Sequence, residues 1–527
     1  MEEGEGQRNR IRPGQLAPVA AASSAITIWL AALGLLTTPF MLHQLGASAY
    51  AVFALITIMA AYLSNLELGF GHATLRFLAR AHASDDRDAE RRIVATSLFV
   101  FGFAGAGAAL VALAGAPAIG GFAQFPADLE DEAIGAIRLA ALVLVFTLLT
   151  SFAQVALQAL GRFRPLLWSR LVFGTLLSAS AVGAAALFDD VRAVLAAQVV
   201  VTLTTCFVLL AVLSGATSAR LRPALDRATF RMMAGYGALV LATGLATQAM
   251  LQGPPTVLAG SAPSAELAAF AVPAVVFQQL LLLVGAASTG FLPFASAESV
   301  AENRERLAAV FRSHVRLTVA VMGPIVGFLV VFAEPLLDAW VGAGFASQAA
   351  GPLQLLALAG LAVALSAPPA DAARALGRPG STLAFTLLAG TTGILAALLL
   401  VEGSGATGAA LGLLTGVWVA TPPFLFLIAG RLLKQSSGQL FLALAGPALA
   451  SLVASGLFWL GSLAIPGFLG AALAGVVVAP AYVLALFRLV LDDRERETLR
   501  AGARVLAPLA GFTRLLAFPG RARQPAP

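Results

Sequence analysis

Charged residues are scarce in this chain. They make up 11% of its 527 residues, whereas hydrophobic residues make up 59% and the mean hydropathy is +0.88. An ordinary soluble domain carries about 25% charged residues. The composition therefore excludes a water-soluble protein and predicts a chain that folds within a bilayer.

Residues that support enzyme chemistry are also few. The single cysteine, Cys206, lies in an apolar stretch and excludes a disulfide framework, and the four histidines show no metal-ligand spacing. There is no glycine-rich phosphate loop with its lysine and no soluble segment long enough for a catalytic domain. The sequence predicts a protein that is not an enzyme and has no cofactor.

About fourteen apolar runs are long enough to cross a bilayer, since a span needs about 20 residues. They predict an all-α polytopic membrane protein. The predicted spans are 21–42, 48–71, 93–115, 134–158, 168–188, 192–213, 233–251, 266–292, 315–337, 351–370, 380–401, 405–430, 440–462 and 465–490.

Arginine accumulates in every second connection between these spans. The basic residues of the predicted inner connections include Arg8, Arg76, Arg80, Arg162, Arg164, Arg170, Arg220, Arg227, Arg304, Arg374, Arg431, Lys434 and Arg488. Two arginines, Arg138 and Arg192, fall on the other side. Because basic residues mark the cytoplasmic side, the pattern predicts an even number of spans in the inner membrane, with both termini cytoplasmic. The charge is scattered rather than gathered on one face, so no nucleic-acid partner is expected.

Two stretches of the chain read alike, Ala49–Val94 and Glu266–Val310, at an offset of about 215 residues. A repeat of that length predicts two parallel six-helix lobes. The predicted organisation is a cytoplasmic N-terminus (1–20), an N-lobe (21–231), a C-lobe (232–438), two further helices (439–490) and an amphipathic basic tail (491–527). The tail faces anionic headgroups in one interpretation and docks a partner protein in the other.

The stretches LLTTPFMLHQLGASAYAVFALI and LELGFGHATLRFLAR resemble the start of the Wzx-type polysaccharide-biosynthesis flippases. These belong to the MOP superfamily, together with the MATE exporters and the lipid II flippases. The resemblance implies a MATE-like fold and alternating-access transport of an undecaprenyl-pyrophosphate-linked oligosaccharide, such as an O-antigen unit of lipopolysaccharide. It also implies contact with membrane lipids, and it leaves open a coupling ion, H+ or Na+, and contact with polysaccharide polymerase or assembly proteins.

The sequence departs from this family at two places. Many members carry an acidic residue near the outer end of the seventh helix, where this chain has Gln248, Gln252 and a predicted break at Pro254 and Pro255. The family often has aspartate at the position of Glu67.

Three other functions compete with this one. A MATE-type multidrug or cation antiporter would use an acid buried in the first helix, which here has none. A lipid II flippase would place several arginines deep in the first lobe, and none is present in its first three helices. An inert scaffold would leave the duplicated lobes unexplained.

Placing an ionisable group inside a membrane costs free energy, so such groups are candidates for function. Glu67, beside Asn65, could pair with an arginine as a gate, take up a proton, or simply reach headgroup water. Arg138 could meet the pyrophosphate or extend to the outer headgroups. Arg170, with Arg162 and Arg164, could form a basic inner mouth or only reflect the charge bias.

Amide side chains complete the candidate site, because amides both donate to and accept from sugar hydroxyls. They also serve as hydrogen-bond partners between membrane helices. The amides chosen for the site are Gln154, Gln248, Gln252 and Gln278; Gln198 and Gln354 are further members of this group.

Overall fold

The computed structural model describes residues 13–64, 68–122, 127–217, 220–300, 304–376, 378 and 380–490. Within these ranges the chain is helical and contains no strand, which confirms the predicted fold class. Twelve of the described helices are long and apolar enough to cross a membrane, so the chain is a multi-pass membrane protein.

The described part of the first half of the chain forms six helices. Their bounds are α1 (Pro13–Ser64), α2 (Leu68–Ala83), α3 (Arg87–Phe122), α4 (Ala127–Ala159), α5 (Phe163–Phe188) and α6 (Val191–Ala216).

The described part of the second half contains eight more helices and two π-helical turns. Their bounds are α7 (Arg227–Ser261), α8 (Ser264–Val300), α9 (Arg304–Val331), α10 (Ala333–Val341), α11 (Ala343–Ala375), α12 (Gly380–Leu427), π1 (Ile428–Leu432), α13 (Ser437–Ala464), α14 (Gly467–Ala485) and π2 (Leu486–Val490).

Two of these helices are pairs of spans joined at a glycine. The 52 residues of α1 would extend about 78 Å as one rod, more than twice the thickness of the hydrocarbon core. Gly46 interrupts α1 with φ 75° and ψ 167°, and Gly405 interrupts α12 with φ 50° and ψ −128°. Glycine reaches these angles without steric penalty. The two glycine breaks therefore replace the short loops that the sequence predicts at 43–47 and 402–404.

The two arms of α12 pack against each other as an antiparallel hairpin. A Cβ added at Gly412 would lie 2.9 Å from the Gly393 carbonyl oxygen, and one at Gly408 would lie 2.5 Å from the Leu400 carbonyl oxygen. The paired positions run in opposite directions along the chain. Glycine at every fourth residue thus lets the two backbones touch, as small residues do at membrane-helix interfaces.

Helix starts recur at a similar spacing along the chain. The second arm of α1 follows Gly46 and begins at residue 47, 217 positions before the start of α8 at Ser264, and α6 begins at Val191, 215 positions before the second arm of α12 begins at Ala406. This register is expected of a duplicated six-helix bundle. The residues at which each lobe begins and ends stay predictions.

Helices α13 and α14 attach to α9. Pro324 has no N–H, so the Ala320 carbonyl lacks its partner within α9. The Tyr482 hydroxyl of α14 donates to this carbonyl at 2.7 Å, and Ser451 of α13 lies 3.3 Å from the same hydroxyl. A buried tyrosine is thus fixed at a gap that proline leaves in the backbone bonding.

Polar caps set where several helices begin. Asp190 and Asp226 accept from backbone N–H groups at the starts of α6 and α7, and Ser436 forms a capping box with Gln439 at the start of α13. Hydrogen bonds from Thr229 lower the pKa of Asp226, so this cap stays ionised.

The predicted span 315–337 is wrong at its outer end. Helix α9 ends at Val331, Phe332 leaves the helical conformation, and α10 begins at Ala333. Pro335 lies in the first turn of α10, where a missing N–H costs nothing, whereas a continued α9 would need that N–H. Gln354 of α11 donates to the Val330 carbonyl at 2.9 Å and completes the end of α9.

The predicted break at Pro254 and Pro255 is also wrong, because α7 continues to Ser261. Both prolines are buried, and the adjacent Gly253 lies so close to α12 that an added Cβ would be 2.5 Å from the Ile394 side chain. Packing against α12 thus holds α7 helical through its prolines. The connection between the predicted spans 93–115 and 134–158 is shorter than expected, since α3 extends to Phe122 and α4 begins at Ala127.

We expect Gly412→Leu to destabilise the α12 hairpin by about 1–3 kcal/mol, because a side chain there would force the arms apart. Gly403→Leu is the matched control, since nothing lies within 4 Å of a Cβ added at Gly403. Thermal unfolding of the two purified variants in detergent measures the difference. Equal melting temperatures would contradict the close packing of the arms.

Candidate functional site

The connections of the molecule collect at two ends. The "basic end" is defined by Arg80, Arg162, Arg222 and Arg378, which lie near the α2–α3, α4–α5, α6–α7 and α11–α12 junctions. The "acidic end" is defined by Asp131, Asp190 and Asp338, near the α3–α4 and α5–α6 junctions and on α10.

At the basic end the two halves of the chain touch backbone to backbone. Gly69 of α2 faces Gly237 of α7, and a Cβ added at either glycine would lie 2.6 Å from the carbonyl oxygen of the other. Any larger residue at either position would separate the helices. The contact between α2 and α7 therefore depends on glycine at both positions.

Aromatic rings and a guanidinium surround this crossing. Phe70 stacks on Phe230 at 5.4 Å between ring centroids, and Phe77 meets Tyr236 edge to face at 5.9 Å. The Arg76 guanidinium carbon lies 4.6 Å from the centre of the Tyr236 ring. A cation held over an aromatic face keeps its charge at the surface, so Arg76 stands at the basic end as an exposed, oriented guanidinium.

Behind the crossing, a buried carboxylate joins three helices. Glu90 of α3 is 5% exposed, accepts from the Thr217 hydroxyl at the end of α6, and lies 3.3 Å from His82 Nδ1 at the end of α2. A buried charge needs such partners to offset its desolvation. This cluster therefore fixes the first half of the basic end as one unit.

At the acidic end, carboxylates cap the sixth helix of each repeat. Glu132 of α4 accepts from the Val191 N–H at 2.7 Å, and Glu266 of α8 accepts from the Ala406 N–H at 2.8 Å. Val191 and Ala406 occupy equivalent positions in the two halves. Capping by an anion at a helix N-terminus is favourable, so these carboxylates have a structural use.

The two halves also meet at the acidic end. The second arm of α1 packs on α8, with Tyr50, Val52 and Leu267 in one buried cluster. The indole Nε1 of Trp340 on α10 donates to the Leu35 carbonyl of α1 at 2.8 Å. Among the described residues, contacts between the halves are thus present at both ends.

The predicted charged site residues differ in their exposure and in their hydrogen-bond partners. Glu67 and Asn65 lie outside the described residues. Arg138 is exposed on α4, three turns from the acidic end of that helix. Arg170 donates to the Ser23 hydroxyl of α1 at 3.2 Å, so it ties α5 to α1, whereas Arg162 and Arg164 are exposed at the basic end.

The amides are spread over three helices. Gln154 lies partly buried on α4, Gln248 and Gln252 lie partly buried on α7, and Gln278 is exposed on α8. Gln248 and Gln252 lie one turn apart on the same helix, so they share one face of α7.

The first half contains a cavity of about 150 Å³ between α1, α3, α4 and α6. Its walls are mostly apolar, and Gln198 and Thr57 contribute polar groups. The Thr57 hydroxyl already donates to the Phe53 carbonyl. Such a cavity suits hydrocarbon rather than a phosphate. Among the described residues, no group of three or more His, Cys, Asp or Glu could hold a metal ion.

Sequence reasoning missed two residues that the structure places in defined contacts. Asp371 is fully buried and pairs with Arg374 one turn later, although the sequence assigns both to a connection. The spacing of three residues between Asp371 and Arg374 is the sequence pattern that could have indicated this pair. Trp340 gave no signal, because its partner lies 305 positions away.

The architecture is that of known transporters. Lipid II flippase MurJ in an inward closed conformation superposes with a TM-score of 0.71 at 12% identity, over 88% of this chain and 98% of that one. An inward-facing multidrug resistance MATE transporter of the MOP superfamily gives 0.68 at 14% identity, over 77% and 96%. A MOP superfamily transporter from Pyrococcus furiosus gives 0.60 at 15% identity, over 81% and 98%. At these identities the likeness defines the fold: this is a membrane protein with the MOP-superfamily transporter fold.

The family follows from the sequence itself. Residues 41–349, more than half of the chain, match the polysaccharide biosynthesis protein family. The chain belongs to this family, as its first helices predicted. A search of curated protein sequences finds no match.

We expect Gly237→Leu to hold α2 and α7 apart and so expose the basic end of the interface. Met233, fully buried on α7, reports this opening when it is replaced by cysteine in a Cys206→Ala background. Labelling by a membrane-impermeant maleimide should accelerate in Gly237→Leu. Gly235→Leu is the control, since a Cβ at Gly235 has nothing within 4 Å. Equal labelling of both variants would show that the glycine contact does not close this end.

Proposed function

We propose that this protein is an inner-membrane flippase that translocates an undecaprenyl-pyrophosphate-linked oligosaccharide by alternating access. The observation that carries the proposal is the combination of a duplicated six-helix transporter fold with membership of the polysaccharide biosynthesis family. The lobes would comprise residues 21–231 and 232–438, with 439–490 as two added helices.

The contacts at the two ends support this mechanism. Alternating access needs two sets of contacts between the lobes, one to be broken in each open state. The α2–α7 crossing supplies one set at the basic end, and α1 with α8 and α10 supplies the other at the acidic end. Such a molecule can open to either side without unfolding a helix.

The charge distribution supports an anionic substrate. Exposed guanidinium groups at the basic end, among them Arg76, Arg162 and Arg164, would meet a lipid-linked diphosphate as it loads. Arg138 would meet the same group nearer the acidic end. Gln154, Gln248, Gln252 and Gln278, with Asn65 and Glu67, are proposed to line the route of the sugar.

A MATE-type antiporter of cations is the second candidate, because MATE structures share the fold. The described part of the first arm of α1 contains no acidic residue to act as a counter-ion. A lipid II flippase shares both the fold and the polyprenyl diphosphate, and it differs in the sugar. Deletion of the gene distinguishes the oligosaccharide flippase, the cation antiporter and the lipid II flippase by the phenotype and the precursor that accumulates.

The orientation is tested by labelling from each side of the membrane. Basic residues mark the cytoplasmic side, so the basic end should face the cytoplasm. In a Cys206→Ala background, Ala339→Cys on α10 should react with an impermeant maleimide in intact cells, and Ser84→Cys between α2 and α3 should react only after permeabilisation; both positions are exposed. The reverse pattern would overturn the cytoplasmic placement of the basic end.

The function is tested by deleting the gene in its host. We expect loss of surface polysaccharide and accumulation of an undecaprenyl-linked repeat unit on the cytoplasmic face, both rescued by the wild-type gene. Arg138→Ala should rescue poorly, with flipping reduced about ten-fold or more, because it removes a charge-assisted contact.

Arg192→Ala is the matched control, since Arg192 forms an exposed ion pair with Asp190 that is worth little. Unchanged polysaccharide together with sensitivity to cationic compounds would instead favour the antiporter. Accumulation of a peptidoglycan precursor would favour the lipid II flippase.

A further inference from the structure

A hydrogen bond at the acidic end arises from a gap in the backbone bonding of α1. In an α-helix the carbonyl of residue 35 accepts from the N–H of residue 39. Residue 39 is proline and has no N–H. The Leu35 carbonyl is therefore left without its helical donor inside an apolar helix.

Trp340 of α10 fills this gap. Its indole Nε1 donates to the Leu35 carbonyl at 2.8 Å, across 305 positions of sequence. Trp340 is partly buried and packs against the large hydrophobic cluster that contains Met41, Leu42 and Val341. The ring thus bridges the two halves of the chain.

The same chemistry occurs a second time, within one half. Pro324 frees the Ala320 carbonyl of α9, and the Tyr482 hydroxyl of α14 donates to it at 2.7 Å. Both pairs satisfy a proline-freed carbonyl with an aromatic donor. The Tyr482 bond joins α9 to α14, whereas the Trp340 bond joins α10 to α1, which belong to different lobes in the proposed organisation.

We propose that the hydrogen bond from Trp340 to the Leu35 carbonyl is a latch that holds the acidic end of the translocation route closed, with Trp340 as a positioning residue for transport. The proposal rests on the function proposed above, since a latch has a use only in a protein whose halves separate.

A single bond can act in this way because of its surroundings. Helices in a membrane gain no hydrophobic free energy from contact with each other rather than with lipid, so apolar contacts between the lobes are replaceable by lipid. A freed carbonyl is not satisfied by lipid, since it needs a donor. The acidic end can open only when water reaches Leu35, and the open state forfeits the Trp340 bond.

The latch also differs from the contact at the basic end. There, Gly69 and Gly237 meet through backbone atoms, and the interface depends on shape. Removing the indole donor should therefore shift the molecule toward opening at the acidic end, with no gain in exposure at the basic end.

Two cysteine reporters in a Cys206→Ala background test this prediction in nanodiscs of phosphatidylethanolamine and phosphatidylglycerol, which leave both sides accessible. Thr38→Cys reports the acidic end and Met233→Cys the basic end, since both positions are buried. We expect Trp340→Phe to raise the rate of maleimide labelling at position 38 about three-fold, and at most about twenty-fold, from the range of transmembrane hydrogen-bond strengths. Labelling at position 233 should not rise.

Tyr482→Phe is the matched control, because it removes the same kind of bond from within one half. It should lower the melting temperature as Trp340→Phe does, but leave labelling at position 38 unchanged. An equal rise at position 38 in both variants would overturn the proposal, as would a rise at both reporters in Trp340→Phe.

Pro39→Ala tests the proposal without altering the tryptophan. It restores an N–H that competes for the Leu35 carbonyl, so labelling at position 38 should rise here too. No rise in a folded Pro39→Ala protein would overturn the latch even if Trp340→Phe fails to fold. The labelling experiments need no substrate, so they test the latch separately from the proposed substrate. Unchanged surface polysaccharide in the deletion strain would overturn the substrate class without changing the outcome of the labelling.

Discussion

The hydrogen-bonding capacity of the backbone is the constraint on which this structure depends. In hydrocarbon an unpaired N–H or C=O costs several kcal/mol, and lipid offers no partner. Helices satisfy nearly all of these groups internally, and the scarce polar side chains serve many of the rest. Trp340 and Tyr482 supply donors where prolines remove them, and Glu132 and Glu266 accept from helix starts. These four polar side chains are thus committed to the backbone rather than to a substrate.

Small residues meet a second constraint of the membrane: helices must associate there without a hydrophobic driving force. Helices must then approach closely enough for dispersion to hold them. The α12 hairpin meets this demand with glycines at 408 and 412, and the α2–α7 crossing meets it with Gly69 and Gly237. Under the proposed mechanism, the glycines that allow a permanent contact in one place allow a separable contact in the other. What distinguishes the two is whether the partners are joined by a turn such as Gly405.

Composition was enough to predict the fold class and the approximate positions of the spans, because both follow from the thickness and polarity of the bilayer. The details that failed depend on neighbours distant in sequence. The continuity of α7 through Pro254 is decided by Ile394, and the end of α9 is completed by Gln354. The candidate site was predicted residue by residue from polarity alone. The structure gives Arg170 a structural partner and leaves Arg138 exposed, a difference that polarity does not encode.

Backbone hydrogen bonding and close helix packing make opening at the acidic end different from opening at the basic end under the proposed mechanism. Opening the basic end separates glycines whose carbonyls keep their helical bonds, so lipid or water can enter without leaving a polar group unpaired. Opening the acidic end breaks a bond to a carbonyl that has no helical donor, so water must arrive as Trp340 leaves. Water reaches that carbonyl only through an open, hydrated route, because the lipid side supplies none. The proline in α1 therefore couples opening at the acidic end to hydration of the route, which an anionic, sugar-bearing cargo requires in any case.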